Sequence, residues 1–84
     1  MTNNEFREWL RGFFELSDDG TVLDLKQIQV IVNHLNLAEA VETRLDDTNS
    51  QLRADINAFR SQPTHDAEDF ERITQSIRDL ILEA

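Results

Sequence analysis

Eighty-four residues, 39% of them apolar and 30% charged, with two glycines and one proline, form one cooperative domain, residues 1–84. Such a chain is too hydrophobic for disorder and too poor in turn residues for a many-stranded sheet, so helix is expected throughout. Eight Lys and Arg against seventeen Asp and Glu leave a formal charge of −9, which opposes approach to a phosphate backbone or an anionic membrane.

Other functions are excluded by what is missing. Without cysteine there is no disulfide framework and no thiolate metal site. The first nine residues, Met1 to Trp9, carry charges where a signal peptide needs an apolar core, and no stretch approaches the roughly 20 apolar residues of a membrane span. These features predict a soluble, cytoplasmic protein without cofactor.

In chain order, Phe6, Trp9, Leu10, Phe13 and Leu16 step by three and four and predict a first helix over about 4–16, capped by Asn3 or Asn4. Phe6, Trp9 and Phe13 form its aromatic face, which reads either as a core stripe or as a contact surface. Ser17 to Thr21 is the strongest turn signal. Asp24, with Gln27 three residues on, has the spacing of a capping box for the next helix.

From there Ile28, Ile31, Leu35, Ala38, Val41, Leu45, Leu52, Ile56 and Phe59 keep a heptad-like rhythm, with Thr48 filling one gap. The unbroken register favours a continuous or slightly kinked helix over about 24–61, roughly 57 Å long at 1.5 Å per residue. Asp46 to Ser50, poor helix formers with Thr48 and Gln51 at capping-box spacing, mark the one place where it can break. Val30, Val32 and Leu37 lie off the stripe and widen its apolar face, where the first helix is expected to pack.

Ser61 to Asp66, with Pro63, reverses the chain. A last helix over about 65–82, capped by Thr64 or Asp66, presents Phe70, Ile73, Ile77, Leu80 and Ala84. The expected fold is all-α: a short N-terminal helix on a long antiparallel helical hairpin, a coiled-coil-like three-helix arrangement that sets Phe70 near Phe59 or Ile56. A stripe that long leaves part of a seam uncovered in a monomer. Ile31, Leu35, Val41, Leu45, Leu52, Ile56, Phe59, Phe70, Ile73 and Ile77 are therefore the candidate residues of a self-association seam, and a homo-oligomer is expected.

Chemistry finds no footing. If Gly20 is the sixth position of a calcium loop, Lys26 stands at the twelfth, where a bidentate carboxylate is required. His34 and His65 lie on different elements without a helical metal partner, so no metal site is expected, and two short turns build no oxyanion pocket. Between Leu25 and Thr43 the only Lys or Arg is Lys26, too little for a DNA-reading helix. No catalytic residue and no direct nucleic-acid or membrane partner is expected.

The Phe-x-x-Trp-Leu-x-Gly-Phe-Phe pattern from Phe6 to Phe14, with Asn33-His34-Leu35-Asn36-Leu37, resembles small uncharacterised proteins of tailed phages and prophages over roughly the first half of the chain. The resemblance implies a phage protein in the cytoplasm of a bacterial host or in the virion, and draws attention to Gly12 and His34. With the seam, it gives the expected function: a non-enzymatic protein that self-associates in virion assembly or as a virion accessory component. The alternative is a small acidic inhibitor or regulator of a host protein with a basic surface.

Overall fold

The computed structural model describes residues 1–17 and 20–83; Asp18 and Asp19 of the first turn and Ala84 of the last stripe lie outside the described residues. Four helices follow in order: α1 (Asn3–Leu16), α2 (Leu25–Glu42), α3 (Asp47–Arg60) and α4 (Ala67–Glu83), with no strand among the described residues. Each packs on its neighbour in sequence, and α1 packs on α4 to close the ring.

The expected continuous helix over 24–61, and the three-helix hairpin built on it, give way to two helices. The molecule measures 35 × 29 × 20 Å, so a rod of roughly 57 Å would not fit within it. Thr43 ends α2 in the left-handed region at φ 68°, and Asp46 opens α3 by accepting from the Asn49 N–H at 3.0 Å. The cap thus falls two residues before Thr48, which lies inside α3. Thr43 is exposed and β-branched in a conformation that suits glycine. Thr43→Gly should therefore stabilise the fold by about 1 kcal/mol, seen as a rise in melting temperature of several degrees.

The other starts are local and cooperative. Asp24 and Gln27 form the expected box, at 2.9 and 2.8 Å. Helix α1 is capped by Thr2 rather than Asn3 or Asn4, with Glu5 completing the box at 2.9 and 3.1 Å. Asp66 and Asp69 exchange the same pair of bonds before α4, at 3.1 and 2.9 Å.

Asn3 is not free to cap because it is buried against the turn between α2 and α3. Its side-chain amide donates to the Arg44 carbonyl at 3.1 Å, and its Oδ1 accepts from the Asp46 N–H at 3.2 Å and from Asn49 Nδ2 at 2.8 Å. The Asn3 N–H donates to Glu42 Oε1, and Arg7 pairs with Asp46 beside it. This polar latch fastens the start of α1 to the point where the long helix breaks.

A second tie joins the first connection to α4. Buried Thr74 accepts from the Leu23 N–H at 2.9 Å and donates to the Phe70 carbonyl at 2.7 Å. At the far turn His65 stacks on Phe59 with ring centroids 4.2 Å apart, and Phe70 meets Phe59 edge-on at 5.2 Å, the neighbour the spacing predicts.

Burial pushes the Asp46 carboxyl up, but the Asn49 N–H and the Arg7 guanidinium outweigh it and hold the group below the usual range. Backbone bonds at their caps hold Glu5 and Asp69 low as well, from Thr2 and Asp66 respectively. A lowered folded pKa contributes stability above the ordinary carboxyl range and loses it as pH falls through the folded value. Urea unfolding should accordingly show stability falling in acid. Asp46→Asn, which keeps a capping side chain, should be less stable at neutral pH and should flatten that acid limb.

Candidate interaction surface

The heptad positions are spent inside the chain. Ile31, Leu35, Leu45, Leu52, Ile56, Phe59, Ile73 and Ile77 are buried in one core with Phe6, Leu10, Phe14, Leu23, Ile28, Ala38 and Ile81. Phe70 packs against that core half-buried, and Val41 stands out at 57% exposed. Of the seam residues named from sequence, Val41 alone is an exposed side chain.

An apolar surface that stays open lies on the outer side of α1 and α2. Of the aromatic face, Phe6 is fully buried, whereas Trp9 and Phe13 are half-buried at the edge of the core. With Leu10, Leu23, Gln27, Val30 and Ile31 they line a cleft of about 160 Å³ between the two helices. Trp9 is fixed there by His34, whose ring lies parallel to the indole with centroids 4.0 Å apart. His34 Nδ1 is 2.8 Å from the Val30 carbonyl, so that nitrogen carries the proton and holds the ring in place.

Beyond the cleft the apolar surface continues along α2. Val30, Leu37 and Val41 are exposed at 39, 55 and 57%, and their spacing of seven and four residues puts them on one face. From Gln27 to Ala38 this helix has no Asp, Glu, Lys or Arg. Of the off-stripe residues expected under α1, Val30 meets it at the cleft wall and Leu37 is left open, while Val32 packs on the core.

Several charged side chains are engaged on other helix faces. Arg53 reaches from α3 to Glu39 at 2.9 Å and to Asn36 at 2.8 Å on α2, and Arg72 pairs with Asp69 at 3.1 Å on α4. The Arg78 guanidinium sits 5.2 Å over the Phe14 ring. These interactions link or cover helices, and they leave the α1/α2 face apolar.

Sequence reasoning named Trp9 and Phe13 and read Val30 and Leu37 as widening the apolar face of α2, but expected that widened part to lie under the first helix rather than open. The signal was present in the run without charge from Gln27 to Ala38. Among the described residues no group of three His, Cys, Asp or Glu side chains is placed to hold a metal ion, and no helix is long and apolar enough to cross a membrane. His65 is occupied at its turn, where Nε2 lies 2.5 Å from the Phe59 carbonyl. Compared with protein-family models, with curated proteins and with solved structures, the chain gives no match.

Proposed function

We propose that the protein acts by non-covalent protein–protein interaction, without chemistry of its own, and that the outer α1/α2 face is its contact surface. One observation carries this reading. In a chain that is 30% charged, Trp9, Phe13 and Val30 line an apolar cleft, and exposed Leu37 and Val41 follow Val30 along the same side of α2, which is uncharged from Gln27 to Ala38. Apolar surface of this kind, rimmed by polar residues, is a frequent mark of a protein contact.

A place in phage assembly, or as an accessory component of the particle, is supported by the resemblance of the first half of the chain. Self-association would use this face, because most heptad side chains are already packed in the core. The regulator reading is favoured by the charge of −9, which speeds encounter with a basic partner and repels a second copy.

Affinity capture from cells that make the protein, run in parallel with wild type, Val30→Gln plus Leu37→Gln, and Leu82→Gln, tests the face. A partner held by wild type and by Leu82→Gln on α4, but lost by the α2 double variant, is the expected result. A partner held equally by all three would place the contact elsewhere.

A further inference from the structure

We infer that the α1/α2 cleft receives an amphipathic helix of another protein, one apolar side chain of which fills the cleft while Lys or Arg residues along its flank meet a row of glutamates on α1. The inference rests on the face proposed above and specifies its occupant.

Size argues first. The cleft holds about 160 Å³, below the roughly 300–1,000 Å³ of small-molecule sites, but it suits one large anchoring side chain. Its floor is supplied by Leu10, Leu23 and Ile31, all buried, so an inserted apolar group would displace water from walls that are apolar apart from Gln27. The open ground on α2, continuing to Leu37 and Val41, is long enough to seat further turns of a helix by apolar contact.

Charge then selects the partner. Along α1, Trp9, Phe13 and Leu16 form one row, and Glu5, Glu8, Gly12 and Glu15 step by three, four and three to form the row beside it. The three glutamates are exposed. Glu5 is held ionised by its bond from the Thr2 N–H; of the two cations on α1, Arg7 is engaged by Asp46, and Arg11 stands within four residues of Glu8 and Glu15. At Gly12, apart from its chain neighbours and its own helix backbone, no atom lies within 4 Å of where a Cβ would stand, so the acidic row has a gap through which another helix can approach closely. Exposed Asp24 adds a fourth acid at the Leu23 end, and Lys26 beside Val30 is the one opposing charge on the α2 side. A second copy of this chain would bring a like row of glutamates and a charge of −9 to the same rim. A basic helix would find both complementary.

Trp9 is the only tryptophan and lines the cleft, so its fluorescence reports occupancy. The test is a titration of the full chain with a Leu/Lys amphipathic helical peptide and with its Leu/Glu counterpart, at low and high salt, alongside dilution of the protein alone. The expected result is a saturable change with the Leu/Lys peptide, weakened at least about tenfold by salt and about tenfold by Val30→Gln, and unaffected by Leu82→Gln. Three outcomes overturn the inference. If Val30→Gln binds the Leu/Lys peptide as well as wild type, attraction is diffuse and the cleft is not the seat. If the Leu/Glu peptide binds equally, the face docks helices without selecting charge, and the broader face reading survives. If Trp9 emission changes on dilution of the protein alone, a second copy occupies the face. Silence of Trp9 in every arm would remove the inference and, with capture indifferent to the α2 variants, the face reading too.

Discussion

Leu52→Asp should leave the chain unfolded at room temperature, whereas Val41→Lys should leave stability within about 0.5 kcal/mol of wild type. The two residues occupy the same heptad rhythm, so a long coiled-coil seam would penalise both. In the folded chain Leu52 is completely buried and Val41 is 57% exposed. Removing a buried leucine costs about 2–5 kcal/mol, and an unpaired carboxylate in its place adds several more. A domain of this length has only about 4–13 kcal/mol in total. The lysine at position 41 faces solvent in the last turn of α2, where a cation suits the helix dipole. Circular dichroism with urea titration of both variants checks the pair, and equal loss in both would favour the seam.

Asn3→Ala should destabilise the protein by about 2–4 kcal/mol although it removes almost no apolar packing. The side chain bonds the Arg44 carbonyl, the Asp46 N–H and Asn49 Nδ2, and truncation strands the buried Asn49 amide together with two part-buried backbone groups. Asn49 is fully buried and its own Oδ1 has no hydrogen-bond partner, so it has nothing in reserve. Its amide would keep only the 3.2 Å bond to the Asn3 carbonyl. The two asparagines act as a unit, so the Asn3→Ala, Asn49→Ala double variant should lose about 1 kcal/mol less than the sum of the single changes. Strict additivity in urea denaturation would mean the latch is not a unit.

What could be read from sequence was what is decided within a turn or two. The Asp24–Gln27 box spans three residues, and the turn at Pro63 with its Asp66 cap is equally local. Burial of Leu35, Leu52, Ile56 and Ile77 follows from spacing alone. Continuity through 43–46 could not be judged that way. Two successive amphipathic helices facing one core carry the same rhythm as a single helix, and the departure of Val41 from the core is invisible in a count of three and four. The break is settled by Asn3, 46 residues from Asn49, and by a left-handed Thr43 that no propensity favours. Thr74, 51 residues from Leu23, is hidden for the same reason. The apolar face was half legible: Trp9 and Phe13 announced themselves by type, while Val30 and Leu37 acquired meaning only once Val32 was seen to pack on the core and Val30 and Leu37 to remain exposed.

The most direct test of whether the apolar stripe is closed inside one chain is a single distance. The chain has no native cysteine, so Lys26→Cys and Ser61→Cys, both at exposed positions near the start of α2 and just past the end of α3, can each take a spin label. Pulsed dipolar spectroscopy on the doubly labelled protein, diluted into unlabelled protein, should give a separation below the 35 Å long dimension of the fold, apart from label length. A separation near ~52 Å, the length of a continuous helix between those positions, would restore the long hairpin. It would also return the seam residues to an intermolecular role and withdraw the α1/α2 face as the contact surface.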